Sequence, residues 1–164
     1  SRNETNKRCA PPASCYHLPM QTQHASAPAT AFFSRTYDEA LELVRTTRDY
    51  LRDAGAYECS LLDPLGSLAY SAETSRITAR LTNMMAWLLL QRAVQQGEIG
   101  NEEARREAPE LGRIKVCLDP ACIEVDRLPA RLVSLLDRSD RLYRRIMRLD
   151  DMIRRDRPGT DPIH

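Results

Sequence analysis

Residues 67–96 form a stretch of thirty residues with neither glycine nor proline, bounded by Gly66 and Gly97. Nothing in it breaks a helical hydrogen-bond ladder, so it reads as one helix, about 45 Å long at 1.5 Å per residue. Ile77, Leu81, Met84 and Leu88 mark one face, and Met85, Trp87 and Leu89 make the second half apolar almost all round. A helix of that kind is buried from more than one side, and a partner helix or a second subunit must cover it. The longest apolar run, residues 84–90, falls far short of the roughly 20 residues that cross a bilayer.

Composition supports the same fold class. Glycine is scarce at 6 residues and aromatics make up 5%. Leu, Ala, Arg and Glu dominate, and these side chains lose little rotamer freedom in a helix. A chain of 164 residues builds one ordinary core. The 24 basic and 23 acidic side chains leave a formal charge of +1, without the excess expected of a dedicated polyanion binder. Five scattered cysteines (Cys9, Cys15, Cys59, Cys117 and Cys122) and no secretory hydrophobic segment argue against a disulfide framework and for a reducing cytoplasm.

Residues 1–30 carry many of the prolines and no apolar periodicity, and they read as a disordered segment. No Met opens the chain and Met20 precedes the ordered part, so residues 1–19 are set aside as partly foreign to the natural protein or upstream of its start. Residues 31–157 are the expected bundle. In Thr36-x-x-Glu39 the spacing is that of a capping box, placing the first helix start near Ser34 or Thr36. Tyr37, Leu41, Val44 and Leu51 then share a face and Gly55 stops the helix. Asn101, with Glu102 and Glu103 behind it, caps a short helix before an irregular excursion to Arg127.

The last helix opens at Pro129. Leu128, Leu132, Leu135, Ser139, Leu142, Ile146, Leu149 and Ile153 alternate at spacings of four and three, a heptad seam. Residues 158–164 form a short polar tail. Three long helices with longer-than-hairpin connections predict an all-α, antiparallel three-helix bundle.

No chemistry-bearing motif emerges. His17, His24 and His164 fall in segments read as disordered, where no pocket orients a proton transfer. Cys117-x4-Cys122 lacks the further ligands that tetrahedral zinc needs, and no phosphate loop, GxSxG elbow or HExxH is present. No catalytic residue, metal site or cofactor is therefore expected. A rival reading places an enzyme site between Asp119, Glu124 and the arginines of the last helix. A second rival uses those arginines on nucleic acid, although Asp137, Asp140, Asp150 and Asp151 interleave with them.

The most unusual polar string is residues 70–80, where Glu73 and Arg76 share a face at i, i+3 and Arg76 and Arg80 at i, i+4. It is either an anchor for a protein partner or an ion pair at the polar edge of the bundle, worth little if exposed, and helix statistics favour the edge. Ser139 in the seam is either a small residue that eases close helix approach and bonds its own backbone, the simpler reading, or a specificity device against other registers. Met84, Met85 and Trp87 read as core before they read as an adaptable binding surface.

The string Phe33-Ser34-Arg35-Thr36-Tyr37-Asp38-Glu39-Ala40-Leu41 resembles the regulator of CtrA degradation (RcdA) family of bacteria. So, more specifically, does the stretch from Leu68-Ala69-Tyr70 through Glu73, Arg76, Thr78, Arg80 and Leu81 to residues 86–94. The resemblance covers residues 32–155, is strongest at 70–98, weak at 101–127 and absent from the first 30. It implies a homodimeric, non-enzymatic adaptor that brings substrate proteins such as the transcription factor CtrA to the ClpXP protease. Its implied companions are a response-regulator-like priming factor and a cyclic-dinucleotide-binding adaptor. A cytoplasmic location with recruitment to a cell pole is implied too. The family supplies no catalytic motif. Glu73, Arg76, Arg80, Gln91 and Arg92, the polar members of the matching string, are the candidate partner-binding residues. The short tail after Arg157 departs from the long C-terminal tail expected of the family.

Overall fold

The computed structural model describes residues 27–120 and 125–155. The expected disordered segment as far as residue 26, the tail after residue 155, all three histidines, and Cys9, Cys15, Cys122 and Glu124 lie outside them. Among the described residues the secondary structure is entirely helical, as composition predicts. Three long helices make the body: α1 (Ala27–Tyr50), α3 (Pro64–Gln95) and α6 (Ala130–Arg155). Shorter pieces join them: α2 (Ala56–Ser60), α4 (Asn101–Glu107) and α5 (Lys115–Leu118).

The side-chain pairs between the long helices give their directions. From α1 to α3, Phe33 lies against Trp87 and Tyr37 against Arg92, while Gly55, past the end of α1, meets Tyr70. From α1 to α6, Glu39 pairs with Arg145 and Tyr50 with Arg131. Helix α1 thus opposes both others. Between α3 and α6 the order runs the other way: Arg80 meets Asp140, and Trp87 meets Asp150. These two helices are parallel, so in the antiparallel three-helix bundle it is α1 that runs against the other two. The connection after Gln95 explains it, because it travels back along the α3/α6 groove before α6 begins. Its buried side chains, Ala104, Ala108, Leu111, Cys117 and Leu128, join the core.

Helix boundaries differ from expectation where side chains have other partners. The first helix starts at Ala27, not near Ser34 or Thr36. Thr36 is buried and donates to the Phe32 carbonyl at 3.0 Å, and Glu39 reaches Arg145, so neither is free to close a capping box. Gly55 does not stop the helix. Leu51–Gly55 forms one wide π-type turn with Gly55 in helical geometry, and the chain continues into α2. A Cβ on Gly55 would sit 2.5 Å from the Tyr70 hydroxyl and 3.3 Å from the Tyr50 carbonyl, so glycine there permits a close approach. Helix α3 begins at Pro64, earlier than Ser67, because Asp63 caps it through the Gly66 N–H at 2.9 Å. Gly97, with φ of +72°, ends it, and Glu98 N–H donates to the Ala93 carbonyl at 2.9 Å. Asn101 opens α4 without a side-chain cap bond.

The seam is buried from Leu128, just before α6, through Ile146, then turns. Leu149 is half-buried and Ile153 exposed, while Asp150 is buried instead. A straight helix of 3.6 residues per turn drifts about 20° per heptad, which carries the inner row from Leu135–Leu142 towards Leu136–Tyr143–Asp150. Asp150 is tolerated because it accepts hydrogen bonds from Trp87 Nε1 and Arg154 Nε, each at 2.8 Å. Ser139 donates to the Leu136 carbonyl at 2.8 Å, the simpler of its readings.

Trp87, Met84, Leu88 and Ile77 of α3 are fully enclosed, with Leu132, Leu142, Tyr143 and Ile146 across from them. Truncating Leu88 to Ala is expected to cost about 2–5 kcal/mol in urea unfolding. Leu61→Ala, at a position 66% exposed, is expected to stay within about 0.5 kcal/mol. Equal costs would place Leu88 at the surface.

Candidate functional site

The charged residues of α3 converge where the returning segment crosses the α3/α6 groove. Glu73 and Arg80 are 0% and 5% exposed, and Arg76 only slightly more. This corrects the view of Glu73 and Arg76 as a solvated pair at the bundle edge: their spacing puts them on the inner flank of α3, and the returning segment roofs them. Arg76 Nε lies 3.0 Å from Glu73 Oε2, and Arg76 Nη1 donates to the Asp119 carbonyl.

Arg80 holds three pieces of chain together. Its Nε donates to the Cys117 carbonyl at 2.9 Å, and its Nη2 to Asp140 Oδ1 at 2.9 Å. Longer contacts, 3.4–3.5 Å, reach Ser139 Oγ and the Leu136 carbonyl. Arg144 Nε donates to the other Asp140 oxygen at 2.8 Å. Only a planar fork of donors satisfies a carboxylate and two stretches of main chain at once. Burial pulls the Arg80 guanidinium below its ordinary pKa, and the Asp140 carboxylate opposes that shift. Burial also pushes the Cys117 thiol up, away from the thiolate that metal binding or nucleophilic attack needs. The Tyr143 hydroxyl is raised for the same reason; it donates to the Leu111 carbonyl at 2.8 Å.

Outside this cluster is a groove of about 350 Å³ lined by four arginines (Arg76, Arg80, Arg141 and Arg144) and four carboxylates (Glu73, Asp119, Asp137 and Asp140). It occupies the place of the rival enzyme site. Its inner carboxylates are already paired to guanidiniums, and the balanced charge suits ionic recognition of a protein surface better than proton transfer. Among the described residues no group of three or more His, Cys, Asp or Glu could hold a metal ion. No described helix is long and apolar enough to cross a membrane.

The five candidate partner residues do not form one site. Glu73, Arg76 and Arg80 lie in the cluster. Half-buried Gln91 is some three turns along α3, at a cleft shared with Asn101, Ala104 and Arg105. Arg92 is exposed, its guanidinium 5.0 Å above the Tyr37 ring. Asp140 was missed as the partner of Arg80. Its i, i+4 relation to Arg144 was visible, but no sequence pattern announces the Cys117 and Asp119 carbonyls.

Breaking a buried ion pair from one side leaves an uncompensated charge and costs about 3–5 kcal/mol. Arg80→Leu is expected to lower unfolding stability by that amount. Arg48→Ala, at an exposed pair with Asp49, is expected to change it by less than about 0.5 kcal/mol. Similar small effects in a chemical-denaturation series would show that Arg80 is no structural tie.

Comparison with known proteins agrees with this architecture. The family described as "Protein of unknown function (DUF1465)" matches residues 24–164. The crystal structure of RcdA from Caulobacter crescentus CB15 is similar with a TM-score of 0.60 and 36% identity, covering 74% of this chain and 89% of that one. The valine–tRNA ligase of Nocardia farcinica (strain IFM 10152) is 33% identical over 113 residues, 68% of this chain but only 12% of the length of that protein. The chain belongs to the DUF1465 family and is an RcdA-like protein.

Proposed function

We propose that this chain is a non-enzymatic adaptor in regulated proteolysis. It delivers cell-cycle substrates such as CtrA to the ClpXP protease, and it acts as a homodimer recruited to a cell pole. The observation that carries the reading is the 36% identity to RcdA over 89% of that chain. The geometry supports it: a bundle locked internally by its own charges offers rigid surfaces, and its described polar groove is charge-balanced. Such a body works by effective concentration, turning a weak encounter between substrate and primed protease into an intramolecular one. The companions are the response-regulator-like priming factor and the cyclic-dinucleotide-binding adaptor. Gln91 and Arg92, nearer the surface, suit direct contact with them; Glu73, Arg76 and Arg80 act through the shape they hold.

The nucleic-acid alternative loses ground because three of the eight α6 arginines are engaged with carboxylates, Arg144 with Asp140, Arg145 with Glu39 and Arg154 with Asp150, and acidic residues interleave with the rest. The reading predicts no retention of duplex DNA by the full chain even at low salt, where phosphate contacts are strongest.

The direct test is degradation of CtrA by ClpXP with the two companion factors, with and without this chain. Accelerated loss of CtrA is expected. An unchanged rate, in a mixture that Caulobacter RcdA does accelerate, would overturn the proposal.

A further inference from the structure

Helix α3 is charged on the inside and uncharged on the outside. Its charged residues are Glu73, Arg76, Arg80 and Arg92; the first three lie in the buried cluster and the last rests on Tyr37. The opposite face carries a second row at spacings of four and three: Leu68, Ala72, Ser75, Ala79, Thr82, Ala86, Leu89 and Ala93. All eight are exposed or half-buried, Leu68 by 67% and Leu89 by 50%. Every seventh position from 72 to 93 is alanine. The corresponding faces of α1 and α6 are studded with charge; this one has none.

We infer that this outer face of α3 is the contact between two copies of the chain, packed antiparallel about a two-fold axis near residues 80 and 81. The inference rests on the homodimer in the proposed function and locates it. Three observations favour a second copy as the occupant. First, the row is its own complement. In the antiparallel register that sets Ala79 against Thr82 of the other copy, Ser75 meets Ala86, Ala72 meets Leu89 and Leu68 meets Ala93, so an alanine faces every larger side chain. That is the layer-by-layer fit of a helical seam, with close approach at the alanines, and a two-fold axis repeats each layer.

Second, an apolar groove adjoins the row. Val44 of α1, Leu51 just past its end, and Leu81 and Met85 of α3 line about 690 Å³ open to the outside, together with Arg48 and Arg52, which are paired with Asp49 and Asp53; this gives each copy a wall against which the other's helix rests. Residues 68–93 span roughly 37 Å. A strip of that length and about 10 Å wide, the diameter of a helix, is about 370 Å² before the α1 wall is added, towards the roughly 800 Å² per partner of a stable interface. Third, two hydroxyls on or beside the row tolerate burial. Ser75 Oγ donates to the Ser71 carbonyl at 2.9 Å and Thr78 Oγ1 to the Thr74 carbonyl at 2.8 Å, so both enter an apolar contact already hydrogen-bonded.

Sedimentation equilibrium on the full chain tests this without any protease. The native chain should run at twice its 18.7 kDa. Ser75→Glu, at an exposed position, brings two carboxylates into the contact and should weaken self-association about 100-fold or more with helicity unchanged. Leu89→Ala should weaken it about tenfold, and adding Ala72→Leu to Leu89→Ala should restore it, because those two positions face each other across the axis. A native dimer that persists in Ser75→Glu, or is indifferent to Leu89→Ala, would overturn the face and leave the homodimer standing. Failure of Ala72→Leu to rescue would overturn the register. A native monomer would overturn both face and homodimer, while the CtrA degradation rate independently decides the adaptor role.

Discussion

The guanidinium of Arg80 is the group around which the molecule is arranged. A charge that far from water persists only if every donor is answered. The answers come from a carboxylate on α6, from the Cys117 carbonyl of the returning segment, and from the neighbourhood of Ser139. Each requirement constrains the chain. Parallel α3 and α6 keep Arg80 level with Asp140. The segment between them has to travel back along the groove and present main-chain oxygens at that level. Arg76 repeats the arrangement one turn away on the Asp119 carbonyl. A stretch with little regular structure of its own is thereby held in one conformation.

The same arrangement explains the division of surfaces. Three of the charges of α3 are spent internally, so its outer face is left to leucine, alanine and short hydroxyl residues. Solubility falls to α1 and α6, whose outer faces carry interleaved Arg, Asp and Glu. A protein built this way has little use for a deep polar pocket and much use for flat, distinct faces. That is the physical content of an adaptor: rigid geometry, with separate faces for separate partners.

Much of this could be read in the residues, and the failures are instructive. The freedom of residues 67–96 from glycine and proline made α3 visible, and the four-three spacing made α6 visible. Helix-end signals misled where a side chain had another partner, the Phe32 carbonyl one turn back for Thr36 and the distant Arg145 for Glu39. Gly55 looked like a stop because glycine often ends helices; only the Tyr70 hydroxyl beside it shows that the requirement was space. Glu73, Arg76 and Arg80 were found as a group, but their spacing is shared by solvated and buried ion pairs, and burial depends on a segment whose sequence is nearly patternless. The row from Leu68 to Ala93 lies in plain view in the sequence. It escaped notice because small residues at seam spacing do not look like a seam until the large apolar face of the helix is assigned elsewhere.

The central claim is that the α3 arginines tie the returning segment to the bundle. Native-state amide hydrogen exchange on the Arg80→Met chain measures that tie directly. The segment is predicted to loosen most, with the Arg113, Cys117 and Asp119 amides losing nearly all of their protection while the Leu142 and Ile146 amides of α6 lose only what the fall in global stability removes. Protection at Arg113, Cys117 and Asp119 equal to that of the native chain would contradict the account.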